Sequence, residues 1–283
     1  MPTERQQERN MQAWRTLSDA SSAPLVAQRD KEQSKLNKIN NAIGDDDISN
    51  NNMRAINRAS IRDELARVKR FHDMRSVARQ AAGDDVINIA TIPTGNCTYQ
   101  ALLAALWSIS ALPRGIIAPS QLKAWATRGL RDVPAAKIAA WHAHDGLVDA
   151  DVVAGDLSNV CRANAYGDIN VLSFCAHTLA VRLIVTMTNT HASRDVSCTT
   201  HTIGDAAATK VARLILYENH LEACIAISDA RLVPPPTLAT VHEVFGKVVQ
   251  DAPAPPAVAH VATAAPSQVR TSRAGLEKGP TRN

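Results

Sequence analysis

The longest apolar run in this chain, Ala101 to Leu112, is interrupted by Ser108 and Ser110 and closed by Pro113. A membrane-spanning helix needs roughly 20 consecutive apolar residues, so this run is too short to cross a bilayer and has to be buried in a protein core. Directly before it lie the turn Pro93-Thr94-Gly95-Asn96 and then Cys97, and upstream of the turn Val86-Ile87-Asn88-Ile89-Ala90 is a short apolar segment. Strand, tight turn and buried helix in immediate succession define a centre around which the other elements must pack. The reading is of a soluble protein, with any membrane attachment supplied by a partner.

A length of 283 residues suits one well-buried domain with appendages. Aromatic residues make up only 4% of the chain, so alanine and valine must supply much of the core. The formal net charge of +4 is modest, and basic and acidic residues are interspersed through the N-terminal third, which gives no nucleic-acid footprint. The basic C-terminal residues Arg270, Arg273, Lys278 and Arg282 lack interleaved aromatics and read as a solvated end. The five cysteines, Cys97, Cys161, Cys175, Cys198 and Cys224, are odd in number and without paired spacing, and no secretory signal is read at the N-terminus. Free thiols in a reducing, cytoplasmic compartment are expected.

Four segments follow from the composition. Residues 1–52 are rich in Gln, Asn, Ser and charge and are expected to be a polar, disordered arm with transient helix, broken at Gly44-Asp45-Asp46-Asp47. Over 53–84, Ile56, Ile61, Leu65, Val68, Phe71, Met74, Val77 and Ala78 fall largely three or four apart, which predicts an amphipathic helix, docked on the main domain or pairing with a second copy. Residues 85–230 form the compact domain: a strand at 86–90, helices after Cys97, around 119–128, at 135–144 and at 171–179, and strands at 181–187, 211–217 and 223–227, with a polar segment able to make a hairpin between them. Residues 231–283 open with Pro234-Pro235-Pro236 and continue as an Ala/Pro-rich, mostly disordered tail. A helix feeding a strand gives an α/β (α+β) class. There is no internal repeat and no glycine-rich phosphate loop.

Cys97 is the chemically distinctive residue. At the start of a helix, unpaired backbone N–H groups and the positive end of the helix dipole favour the thiolate. The Gly-containing turn at Thr94, Gly95 and Asn96 lets backbone amides face the space above the sulfur, where the oxyanion of a tetrahedral intermediate forms. A buried small hydrophobe starting a core helix is the plainer alternative. His220 shifts the balance, because it follows the apolar strand Leu214-Ile215-Leu216-Tyr217 at a bend before another strand, where an imidazole can project toward the helix end.

Three blocks in order, Gly95-Asn96-Cys97-Thr98-Tyr99, Tyr166-Gly167-Asp168 with its following helix, and Leu214 to Ile227 around His220, resemble the ovarian-tumour (OTU) cysteine proteases over about residues 85 to 230. The resemblance implies a papain-like OTU fold, a small central β-sheet packed between helices with the nucleophile at the N-terminus of the central helix. It implies Cys97 as nucleophile, His220 as base, and hydrolysis after the C-terminal Gly of ubiquitin or a ubiquitin-like modifier through a thioester, with no cofactor. By position in the family pattern, Glu222 becomes the group that orients the imidazole, with Asn219 as the alternative. Tyr166 replaces the family tryptophan, Leu221 an aromatic residue, and Thr94 an aspartate that many members carry in the oxyanion loop. Such departures occur in divergent viral or pathogen-associated members, for which the host cytoplasm is the expected location.

Other readings attach to specific residues. His142-Ala143-His144, Cys161 and Cys175-Ala176-His177 are metal-type ligands, but His-x-His on a helix points its rings to different faces and no Cys-x-x-Cys pair anchors a zinc, so no metal is expected. An OTU-like module that binds ubiquitin or assembles a complex without catalysis is the alternative from another class. Self-association through 53–82 is a third, though the heptad order there is poor. Removal of residues 1–82 is expected to leave the domain working.

Overall fold

The computed structural model describes residues 1–41, 51–91, 96–146, 169–190 and 196–236. Its centre is a five-stranded sheet in the order β1-β5-β4-β2-β3. The strands are β1 (Val86–Ile89), β2 (Arg182–Thr190), β3 (Val196–Ile203), β4 (Val211–Tyr217) and β5 (His220–Ala226). β2 and β4 run parallel, and the other three pairings are antiparallel. Helices α1 (Glu4–Asn41), α2 (Asn51–Ala82), α3 (Cys97–Ser108), α4 (Pro119–Asp132), α5 (Ala135–Asp145), α6 (Ile169–Leu179) and α7 (Ile227–Leu232) surround it. The mixed α/β class and the small sheet between helices match the sequence reading.

The alternation of side chains along β4 and β5 builds two cores. Ala212 and Leu214 of β4, with Leu221, Ala223 and Ile225 of β5, pack with Leu102 and Leu106 of α3, Leu122 of α4 and Phe174 of α6. On the other face Ile215, Tyr217 and Cys224 meet Met74 and Ala78 of α2, with Phe71 partly buried beside them. Every residue of α3 except Trp107 is buried, which is why its sequence is predominantly apolar or small around the helix. Close packing on that side is tightest at Gly129 of α4, where a Cβ would collide with the ring of Phe174.

Residues 4–41, expected as a disordered arm, form a helix with one face packed on the core. Trp14 is fully buried and donates its indole N–H to the Val233 carbonyl at 2.7 Å, and Leu17 joins the main core. β1 is an edge strand, whose outward backbone groups would otherwise lack partners. α1 supplies them: Ser18 donates to the Asn88 carbonyl at 2.6 Å, and the Ala90 N–H donates to Ser21 Oγ at 3.0 Å. α2 docks Met74 and Ala78 of its apolar stripe on the sheet of its own chain. Both helices thus cover surfaces of the central domain, which removal of residues 1–82 would expose. The tail from 237 onward, the Tyr166-Gly167-Asp168 block, Cys161, Thr94 and Gly95 lie outside the described residues.

Candidate active site

Cys97 is the first residue of α3, with Asn96 as its N-cap and the Gln100 N–H donating to the Asn96 carbonyl at 3.0 Å. The chain reaches this point from β1, which pairs with β5 as far as Ile89 opposite Ala223. Beyond that register the backbone of β5 is free to take other partners, and the sulfur occupies this space. Cys97 Sγ lies 3.9 Å from the Asn219 carbonyl oxygen, the outer limit of an S–H···O contact, and the Leu221 N–H donates to it. The thiol is thus set against the two backbone groups that flank His220.

His220 opens β5 directly after the two-residue turn Glu218-Asn219, in which Glu218 takes a left-handed φ of 52°. Its ring lies on the α2 face of the sheet, 5.5 Å from the ring of Phe71 and 5.2 Å from that of Tyr217. Nε2 meets Thr91 Oγ1 at 3.1 Å, and Nδ1 is buried without a hydrogen-bond partner among the described residues. Thr91, just past β1, also donates its hydroxyl to the Leu221 carbonyl at 2.6 Å. Sequence reasoning missed Thr91; the available signal was its place at the end of the strand that leads to Cys97.

Glu222 is fully buried, on the same face as His220. Its Oε1 accepts from Arg75 Nε at 2.6 Å and from the Tyr217 hydroxyl at 2.7 Å, and its Oε2 accepts from Arg79 Nη2 at 2.9 Å and Nε at 3.2 Å. His220 Nε2 is 3.9 Å from Oε1, within ion-pair reach but beyond a hydrogen bond. Burial, and then the Glu222 charge, push the Tyr217 phenol well above its usual range, so it stays a donor to the carboxylate. Asn219 is exposed in the turn, and its backbone carbonyl is the group that faces the sulfur. Arg75 and Arg79 were not anticipated, since two arginines on an amphipathic helix read as its solvated face.

Burial controls the protonation states. It raises the Cys97 thiol above its ordinary value, against the N–H groups of Leu221, Thr98 and Cys97 itself and the Thr98 side chain, which pull it down. It lowers His220 to about 4, with Arg75 acting in the same direction and Glu222 and a hydrogen bond to the Thr91 backbone opposing. The resting pair is therefore a neutral thiol and a neutral imidazole. The thiolate expected from the helix terminus alone is outweighed by desolvation. Burial also pushes Cys175 and Cys224 up to about 12, which leaves those thiols inert.

A second polar cluster joins α5, α6 and the end of β3. His144 Nδ1 and His177 Nε2 each lie 3.0 Å from a different oxygen of buried Asp145, and the Gly204 N–H donates to Asp145 Oδ1 at 3.0 Å. The three side chains have metal-type ligand atoms within 4.8 Å of one another. Asp145 already accepts from each neighbour, and Trp141 stacks on His177 at 5.0 Å, which is the arrangement of a structural clasp. His142, on the same helix, is buried separately.

No family model and no curated protein matches the chain. Among solved structures it is similar to OTU domains. The OTU domain of OTUD1 aligns at 18% identity and a TM-score of 0.35, covering 56% of this chain and 95% of that one. An OTU deubiquitinase from Wolbachia pipientis bound to ubiquitin aligns at 14% identity and a TM-score of 0.38, covering 52% and 99%. The Hazara virus OTU bound to ubiquitin aligns at 16% and 0.30, covering 49% and 79%. The functional reading rests on the geometry of the site and on the sequence blocks that carry it. Among the described residues no helix is long and apolar enough to cross a membrane.

Proposed function

We propose that this chain is a cysteine hydrolase of the OTU type, cleaving the amide bond after the C-terminal Gly of ubiquitin or a ubiquitin-like modifier. One observation carries the reading: the thiol at the start of α3 abuts the Asn219 carbonyl and the Leu221 N–H, while His220 between them holds a ring nitrogen with no hydrogen-bond partner among the described residues. Residues 122 positions apart in sequence are brought together at the one place where β1 stops pairing and α3 begins.

In the proposed reaction, His220 Nδ1 takes the thiol proton as Cys97 Sγ bonds to the carbonyl carbon. The resulting oxyanion is stabilised by backbone amides of the turn formed by Thr94, Gly95 and Asn96. The C–N bond breaks as His220 returns the proton to the leaving amine, which leaves a thioester on Cys97. Water then attacks the thioester with His220 as base, releasing the modifier's carboxylate and restoring the thiol. Glu222 favours the imidazolium formed in each step through its charge, at the distance given above. The conjugates are cytoplasmic ones, and no cofactor takes part.

A second reading draws on the same groups. A neutral thiol beside a neutral imidazole, with Glu222 committed to Arg75 and Arg79, describes an OTU-like module that holds ubiquitin without cleaving it. Ubiquitin carrying a fluorogenic amide at its C-terminus separates the two. Turnover by the full chain that is abolished in Cys97→Ala supports the hydrolase; saturable ubiquitin binding with no turnover above the Cys97→Ala background supports the binding module.

A further inference from the structure

Three oxygens face the ring of His220: one of the Glu222 carboxylate, the Thr91 hydroxyl and the Thr91 backbone carbonyl. Glu222 Oε1 stands 3.9 Å from Nε2 and already receives Arg75 and the Tyr217 hydroxyl. Thr91 Oγ1 stands 3.1 Å from the same nitrogen. A hydroxyl has a single proton to donate, and that of Thr91 goes to the Leu221 carbonyl at 2.6 Å, an acceptor that cannot donate in return. Toward His220 the Thr91 oxygen can then only accept, so the proton between them belongs to Nε2. Nδ1 is left as the unprotonated nitrogen, buried and without a hydrogen-bond partner among the described residues.

We propose that Thr91 is the positioning residue of the site: it fixes His220 as the Nε2–H tautomer through the relay Leu221 carbonyl, Thr91 hydroxyl, Nε2, and so presents Nδ1 as the base. This rests on the hydrolase reading for its catalytic meaning, but the tautomer is a property of the resting protein. The relay also explains why a threonine is placed here. Its hydroxyl joins the continuation of β1 to β5 on the α2 face, and the same two strands carry the chain on to Cys97 and His220. Glu222, neutralised by two arginines, acts on the ring through its field, and Thr91 acts through a directed bond. With the wrong tautomer the base would carry its proton on the nitrogen that must accept one, which in comparable sites is severely damaging.

The test uses the full chain with nitrogen-15 histidine, His220 being assigned by the signal lost in His220→Gln. Nitrogen NMR distinguishes a protonated from an unprotonated ring nitrogen without reference to activity. Wild type and Thr91→Ser are expected to show one species, Nε2–H with bare Nδ1, while Thr91→Val shows a mixture of both tautomers. In parallel, labelling of Cys97 by a ubiquitin C-terminal electrophile should slow about tenfold or more in Thr91→Val and recover in Thr91→Ser. A Thr91→Val protein that keeps the pure Nε2–H signal overturns the proposal, as does an Nδ1–H tautomer in wild type. If Thr91→Val does not fold, Thr91→Ala gives the same two signals to compare. Absence of labelling in wild type together with the expected tautomers would fail the hydrolase reading while upholding the role of Thr91.

Discussion

Glu222 shows what one buried charge demands of its surroundings. Its carboxylate is fully enclosed and holds four hydrogen bonds from three residues, two of them arginines on α2. Removing one member of a buried ion pair leaves the other uncompensated, at a cost of about 3–5 kcal/mol. Glu222→Ala is accordingly expected to lose that much stability in urea unfolding, with Glu222→Gln intermediate; a loss under about 1 kcal/mol would mean the carboxylate is solvated. The pH behaviour of the thiol follows from the same enclosure. Cys97 is raised and His220 is lowered to about 4, so across the range between them neither group is charged. Alkylation by iodoacetamide requires thiolate, and its rate at Cys97 is therefore expected to stay low at acidic and neutral pH and to climb in alkali. A rate plateau beginning near pH 4 would instead reveal a thiolate–imidazolium pair. At this scale the sequence singled out Cys97 and His220 by residue type and setting, and Glu222 by its position in the family pattern. It was uninformative for Thr91, Arg75 and Arg79, because their roles depend on register and on which helix face meets the sheet.

At the level of elements, the strand and helix patterns of the central domain were legible wherever burial imposed a period. β4 was expected at 211–217 and spans Val211–Tyr217, and the all-buried α3 could only be a central helix. β5 begins at His220 itself, earlier than the apolar run suggested, because the polar residues His220 and Glu222 are buried by α2 and its arginines. The long α1 was hidden by its polarity. Among its described side chains the buried apolar residues are Trp14, Leu17 and Leu25, and much of its docking is by Asn10, Ser18 and Ser21 hydrogen bonds to backbone. The spacing Asn10, Trp14, Leu17, Ser21 was the readable trace of that face. Deleting residues 1–82 would uncover Ile215, Tyr217 and Cys224 and strip Glu222 of both arginines. Residues 83–283 are expected to lose cooperative unfolding by circular dichroism; a sharp transition like that of the full chain would show that α1 and α2 are accessories.

For the molecule as a whole, the N-terminal helices and the catalytic candidates form one unit. α2 reaches through the sheet face to the charge beside His220, and α1 seals the edge strand that leads to Cys97. The sulfur lies against the backbone on either side of His220, at the Asn219 carbonyl and the Leu221 N–H, beyond the point where β1 stops pairing with β5. The most direct measurement is covalent: the full chain is treated with ubiquitin bearing a C-terminal electrophile, and the adduct is mapped by peptide mass spectrometry. A single adduct on Cys97, lost in Cys97→Ala and strongly reduced in His220→Ala, is the expected result. An adduct elsewhere, or labelling of Cys97 that is indifferent to His220, would contradict the pairing of these two residues.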